Sequence, residues 1–317
     1  MITLAAPGPR LRAALPMLVL AGLMAALGLA VPGFASPATL LLVLADTATL
    51  FVLAAGLSFV IVIGSIDLGV TATASLAGVV TALLLPGWGG WAFPVALAAG
   101  LLAGTVTGLV HVGLRVPSFI ASLAAGGVVG GLTLWLSDAQ AVTIGQTDRP
   151  WLDWVAGETA GLPHIIVVAA GALLLGWGLQ RLTPLGRFGL AIGASEPATV
   201  ASGVRVARYK VLAFALSGLF AALAGIMLAA RLTSGSPTGA SELLLPSIAA
   251  VIVGGTAITG GTGGVARTAV GALTVSVARL GMTFLGVDAF AQQILFGVVL
   301  IAAVAITTDR ASVVVTK

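Results

Sequence analysis

Near residues 15–32, 38–63, 92–110, 118–136, 162–180, 211–230, 265–285 and 290–306 the chain is almost wholly apolar, in runs of about 17 residues or more. An α-helix of that length crosses the ~30 Å hydrocarbon layer of a bilayer. Lipid offers no partner to backbone N–H and C=O groups, so a spanning element must be a helix or a strand of a closed barrel. Barrel strands are short and alternate in polarity; these runs are long and continuous, which selects helices. Two shorter runs, 70–85 and 243–258, adjoin glycine-rich stretches, Gly64-Ser65-Ile66-Asp67-Leu68-Gly69 and 254–264. They read as full spans, as tilted short ones, or as segments that enter the bundle and break there. The expected fold is all-α: a polytopic transmembrane bundle of about ten helices, in a single domain over residues 1–317.

Composition agrees. Hydrophobic residues make up 59% of the chain and charged residues 8%, with a mean hydropathy of +1.18, whereas a soluble domain carries about a quarter charged residues. Lipid therefore covers much of the surface. The net charge of +4 and pI near 10.7 do not indicate nucleic acid, because the basic residues are scattered or gathered in loops on one side of the membrane. No cysteine is present, which excludes disulfides, thiolate metal sites and cysteine nucleophiles. Arg10 and Arg12 before the run from Leu15 to Val31, with Phe34-Ala35-Ser36 after it, have the layout of a secretory signal. The length of the run and the many spans beyond it favour an uncleaved first helix.

Loop charges orient the bundle. With ten spans, one set of loops holds the N-terminus, Arg115, the stretch from Arg181 to Lys210, and the tail with Arg310 and Lys317. The opposite set holds the loop 137–161, with Asp138, Asp148, Asp153 and Glu158 against a single Arg149. The positive-inside rule places both termini and the 183–210 loop in the cytoplasm and the 137–161 loop outside, flanked by Trp135, Trp151 and Trp154 as interfacial anchors.

Charged positions within or beside the spans are few, among them Asp46, Asp67, Arg267, Arg279 and Asp288. Each is costly in hydrocarbon and is expected to face protein, water or the interface. Arg267, Arg279 and Asp288 read as snorkelling side chains near helix ends. Asp46 reads as either a polar lining or an interhelical hydrogen bond. Polar residues within apolar segments nominate a solute pathway of Asp46, Asp67, Thr71, Thr73, Ser75, Ser122, Gln292 and Gln293. Gly100, Gly104 and Gly108, spaced by four, share one helix face and permit close backbone approach. Ile61-Val62-Ile63-Gly64 and Val251-Ile252-Val253-Gly254 each run into a glycine- and threonine-rich stretch followed by another apolar run, a weak internal similarity of the kind found in transporters with duplicated, discontinuous helices.

A phosphate-cradling Walker A loop needs Gly-Lys-Ser or Gly-Lys-Thr. The chain has two lysines, Lys210 and Lys317, and neither lies in such a loop. His111 and His164 fall on opposite sides of the membrane and cannot pair on a metal. No catalytic motif appears, so the chain is expected not to be an enzyme and to hold no cofactor. The loop TPLGRFGLAIGASEPATVASGVRVARYK (Thr183 to Lys210) is more informative. Ser195 suits a helix cap, Glu196, Pro197 and Ala198 its first turn, and Gly203 its stop, giving a short cytoplasmic helix of about two turns. Another protein could grip such a helix, although an interhelical loop with basic anchors fits the pattern as well.

Three stretches resemble the membrane permease subunits of ATP-binding cassette importers of the ribose type. They are IGSIDLGVTATASLAGVV (Ile63 to Val80), VPSFIASLAAGGVVGGL (Val116 to Leu132), and LGRFGLAIGASEPATVASGVRVARYK continuing through LAGIMLAARLTSGSP to IAAVIVGGTAITGGTGGVARTAVGAL. They cover most of residues 60–306 in the family's order. Departures occur at Ser65 and Val70-Thr71, where the family has a second glycine and then a serine, near Gly130, which lacks a basic neighbour, and at Pro197, where alanine is frequent. The resemblance implies a multi-pass protein of the bacterial cytoplasmic membrane that carries a monosaccharide (ribose-, xylose- or galactose-like). It also implies a second permease copy, identical or related, and an extracytoplasmic solute-binding protein. Cytoplasmic ATPase subunits would bind ATP and Mg and dock on Ser195, Glu196, Pro197, Ala198 and Gly203. A nucleoside or amino acid as solute stays open, as does an ion-coupled secondary transporter using Asp46 and Asp67.

Overall fold

The computed structural model describes residues 9–288, with 291, 292, 294, 297 and 298 beyond them. The expected last span, 290–306, falls largely outside the described residues, as do Gln293, Arg310 and Lys317. The helices are α1 (Pro9–Ala30), α2 (Pro37–Val62), α3 (Val70–Trp88), α4 (Ala92–Gly113), α5 (Ser118–Leu136), the single turn α6 (Asp153–Ala156), α7 (His164–Leu182), α8 (Pro184–Ala194), α9 (Glu196–Ala201), α10 (Val206–Leu232), α11 (Leu244–Val253) and α12 (Val265–Phe284). Among the described residues, five apolar segments are long enough to cross a membrane: 37–62, 70–113, 118–136, 164–182 and 206–232. The second of these is two helices, α3 and α4, because Gly89 takes φ 52° and the chain turns back through Gly89–Trp91.

Helix directions follow from who meets whom. Gly100 lies against Gly218 and Ala222, Gly104 against Phe214, and Gly108 against Val211 and Phe214, so α4 and α10 are antiparallel. The glycine spacing of four is thus the face of α4 that crosses α10. A Cβ on Gly104 would fall on the carbonyl oxygen of Phe214, and one on Gly218 on that of Gly100; close backbone contact replaces side-chain interdigitation here. Gly225 abuts Ala74 while Gly78 abuts Gly225 and Ala229, which sets α3 parallel to α10. α2 runs against α10, with Gly56 at Ser217 and Phe220 and Asp46 near Arg231. α12 follows α10 in direction, beginning at Gln180 near the end of α7 and reaching Asp46 at Arg279. One end of the bundle therefore gathers residues 62–66, 111–118, 182–206 and 254–264, and the other gathers 31–36, 137–163 and 233–243.

α2 and α10 form the centre, each with 67% of its apolar window buried, against 17% for α5 and α7. The outer faces of α4, α5 and α7 carry exposed Leu102, Leu123, Val128 and Leu174, as a lipid-facing helix does. At the end opposite α8 and α9, the strand Val142–Thr143 pairs antiparallel with Ser234–Gly235, and Glu158–Thr159 with Leu162–Pro163.

Both glycine-rich stretches are true breaks. α2 stops at Gly64 (φ 75°), where Gly64 N–H donates to Ile61 O at 2.9 Å and Ser65 N–H to Val60 O at 3.0 Å. α11 stops at Gly255 (φ 91°) with the same two bonds, Gly255 N–H to Ile252 O at 2.8 Å and Thr256 N–H to Val251 O at 3.2 Å. Each is a Schellman ending, which needs a left-handed residue and so a glycine. The internal similarity is real in structure but shifted by one residue: Gly64 corresponds to Gly255, not Gly254. The run expected at 243–258 accordingly ends as a helix at Val253.

Candidate functional site

Two polar regions interrupt the apolar bundle, and a third lies at the end that carries α8 and α9. The first surrounds the break after α2. Backbone leaving a helix inside a bundle must find partners on its neighbours, and α5 supplies them. Ser118 Oγ accepts from Ile66 N–H at 3.1 Å; Ser122 Oγ accepts from Leu68 N–H at 3.0 Å and donates to Ile66 O at 3.2 Å. Buried Asp67 accepts from its own turn, Gly69 N–H at 3.0 Å, and from Ser217 Oγ of α10 at 2.7 Å. Thr73 Oγ1 donates to Gly69 O at 3.2 Å, and Thr71 is buried in the first turn of α3. Ser75 faces elsewhere, accepting from Ala240 N–H at 3.2 Å. Of the pathway residues read from sequence, Asp67, Thr71, Thr73 and Ser122 therefore cluster about one break.

Asp46 is apart from them. It forms an ion pair with Arg279 of α12, with Arg231 of α10 3.9 Å away on its other oxygen. Arg279 was expected to snorkel alone; it is instead drawn to Asp46, because a cation and an anion half-excluded from water are each stabilised by the other. Arg267 and Asp288 are exposed, as a snorkelling role requires. Gln292 donates from Nε2 to Thr283 Oγ1 and Val287 O, both at 3.2 Å, closing the turn after α12.

The end that carries α8 and α9 is built on the 183–210 loop. Thr183 caps α8 by accepting from Leu185 N–H at 3.3 Å, and Pro184 sits at the first helical position, where its missing N–H costs nothing. Ser195 caps α9 through Ala198 N–H at 3.4 Å, and Gly203 (φ 79°) ends it, donating to Val200 O at 2.9 Å. Glu196 in the first turn binds Lys210 Nζ at 2.8 and 2.7 Å, tying α9 to the start of α10. The short helix around Ser195, Glu196, Pro197, Ala198 and Gly203 thus stands where the capping pattern places it. Reading the sequence missed α8, which packs Gly186, Gly189 and Ile192 inward and sets the Phe188 ring against that of Tyr209, centroids 4.9 Å apart and planes inclined by 50°. Beside α9 opens a cleft of about 900 Å³ lined by His111, Arg115, Glu196, Arg205, Arg208 and Lys210.

α8 also joins the two breaks. Gly261 N–H donates to Val62 O at 2.9 Å, and a Cβ on Gly260 would strike Gly64 and Gly193. At Gly193 a Cβ would overlap Val62 O and Gly261 N. The last turn of α8, the end of α2 and the break after α11 meet backbone to backbone, so α9 cannot move as a rigid piece with α8 without disturbing both breaks. His111 lies at this end and His164 at the other, its Nδ1 2.5 Å from Asp153 O and its Nε2 2.7 Å from Thr159 Oγ1, so the histidines form no joint site.

Comparison with known proteins fits a bundle of this kind. Residues 39–304 match the family described as branched-chain amino acid transport system / permease component. The chain is 38% identical to the protein described as "Probable ABC transporter permease protein YphD" of Escherichia coli K12 over 294 residues, 91% of this chain and 87% of that one. It is 34% identical to the ribose import permease of Bacillus subtilis over 281 residues, 88% and 87% of the two chains. With the L-arabinose transport system permease of Escherichia coli K12 it shares 37% over 177 residues, 56% of this chain and 53% of that one. The apolar helices, the paired breaks and these matches along nearly the whole chain establish that it is a helical membrane protein and belongs to this family of transport-system permease components.

Proposed function

We propose that the chain is the membrane-spanning subunit of an ATP-binding cassette importer for a monosaccharide, ribose, xylose or galactose in type. The observation that carries this reading is the exposed, capped helix α9 held through α8 against both membrane breaks. A passive pathway driven by a separate motor needs such a grip, and a relative that imports ribose aligns over almost nine-tenths of the chain. The family description names branched-chain amino acids, but the more similar relatives named for a solute are sugar permeases.

In this reading ten helices cross the membrane, both termini and the α8–α9 region are cytoplasmic, and the 137–161 loop receives a solute-binding protein. A second permease copy completes the core, and ATP and Mg bind ATPase subunits docked on Ser195, Glu196, Pro197, Ala198 and Gly203. Asp67, Thr71, Thr73, Ser75, Ser122, Gln292 and Gln293 are the polar residues proposed along the solute's route, with Asp46 at its outer part. An ion-coupled mechanism wants a membrane carboxylate free to exchange its ion; Asp46 is held by two arginines and Asp67 by two hydrogen bonds.

The test is uptake of labelled D-ribose, D-xylose and D-galactose into liposomes holding this chain. Accumulation that requires ATPase, binding protein and ATP together is the expected result. Accumulation by the chain alone under a proton or sodium gradient overturns the reading.

A further inference from the structure

Helix α12 starts without a cap of its own. Gly264 stands before its first turn with no side chain to offer, and the first N–H groups of a helix find no partner inside it. Two N–H groups at this start are met from elsewhere. Gly264 N–H donates to Thr256 Oγ1 at 3.1 Å, within the same glycine-rich break. Val265 N–H donates to Gln180 Oε1 at 2.9 Å, a residue 85 positions back on α7. Val265 is buried, and its side chain rests on Gly176, one turn before Gln180, where a Cβ would come within 3.1 Å of it. The start of α12 is thus clasped by two successive turns of α7. Gln180 also touches the helix that follows it: a Cβ on Gly186 would fall on the Gln180 carbonyl, so the inner face of α8 lies directly on the last turn of α7. Thr183 stiffens the corner between the two, its Oγ1 donating to Leu179 O and accepting from Leu185 N–H. α8 leads straight into α9 through Ser195.

We propose, on the importer reading above, that Gln180 is a positioning residue for transport: its bond to Val265 N–H makes the α7–α8 corner and the start of α12 move together when an ATPase displaces α9. Without that bond the corner shifts while α12 stays, and hydrolysis outruns sugar movement. The side chain has the chemistry for the task. It is an uncharged acceptor, half-buried, that reaches an N–H with no carbonyl of its own helix to bind. The backbone contacts of Val62, Gly193 and Gly261 already join α8 to the two breaks. Gln180 extends that junction to the helix beyond the second break. Thr256 caps the same helix start from within the break, so it shares the capping role of Gln180 and not the link to α7.

The test uses the full chain with its ATPase and binding protein in liposomes, with labelled D-ribose, D-xylose and D-galactose as probes. The readout is sugar moved per ATP hydrolysed in response to loaded binding protein. Loss of folded protein lowers both quantities together and leaves their ratio unchanged. Gln180→Met keeps the length and helix propensity of the side chain and removes the amide acceptor; it is expected to lower the ratio about fivefold, the worth of one hydrogen bond. Gln180→Glu keeps an acceptor at a helix N-terminus, where a carboxylate is favourable, and should restore the ratio to within about twofold of wild type. Thr256→Val removes the other cap and should lower the thermal midpoint with the ratio unchanged. A wild-type ratio in Gln180→Met overturns the proposal, as does an equal fall in Thr256→Val, which would make capping of α12 the whole effect. Failure of Gln180→Glu to rescue overturns it too, and so does a Gln180→Met chain absent from the membrane, since Gln180 would then serve folding. A wild-type chain that moves none of the three sugars overturns the importer reading itself, and that failure is visible before any variant is compared.

Discussion

Asp67 illustrates how one polar side chain can hold a break in the membrane. Its carboxyl joins the turn into α3, through Gly69 N–H, to α10, through Ser217. Ser217→Ala removes one donor and leaves a carboxyl oxygen buried without it, a cost of about 1–3 kcal/mol. The expected outcome is a lower midpoint of thermal unfolding in detergent, with sugar uptake lost at temperatures that wild type tolerates. An unchanged midpoint would show that the break is held by Ser118 and Ser122 alone. Asp67 could be picked out as a membrane carboxylate from sequence, but Ser217, 150 positions away, could not. Nothing in the local pattern distinguishes that serine from any other small residue on a helix of alanines and glycines. Arg279 was misread for the same reason, since its partner lies 233 positions off.

At the scale of elements, glycine does two different jobs. On α4 it allows contact: Gly104→Ala would drive a methyl into the carbonyl of Phe214, and overpacking of this kind costs about 1–3 kcal/mol. Gly130 on α5 has nothing within 4 Å of such a methyl, so Gly130→Ala is expected to be neutral or stabilising by up to about 1 kcal/mol through helix propensity. Thermal midpoints of the two variants check the contrast, and equal shifts would refute the close crossing. Helix positions were legible because apolar length alone sets them, and α9 because its cap, first turn and stop use residues with specific backbone roles. α8 was hidden: it is short, contains three glycines, and its apolar face is too narrow to register as a run. The offset of the second break came from reading Gly254 as the stop, when the left-handed residue that ends the helix is Gly255.

For the whole molecule, the decisive question is whether α9 acts as a lever on the membrane breaks. Glu196→Ala tests the outer part of that lever. Glu196 is 48% exposed and its pair with Lys210 is at the surface, so its loss costs under about 1 kcal/mol of stability and leaves membrane insertion normal. Sugar uptake and the stimulation of ATPase activity by loaded binding protein should both fall, because α9 is no longer fixed to the start of α10. Unchanged uptake would make Glu196 a helix-start residue only. The same reading demands a fixed orientation, which cysteine accessibility can measure directly in a chain that has no native cysteine. Ser202→Cys, exposed just after α9, should react with a membrane-impermeant thiol reagent only after cells are opened, and Ala141→Cys, exposed in the 137–161 loop, should react in intact cells. The reverse pattern would put α9 on the side where no ATPase exists, and the paired breaks would then need a different source of motion. If the pattern holds, the basic end of the bundle, the glycine breaks after α2 and α11 and the motor all share one side.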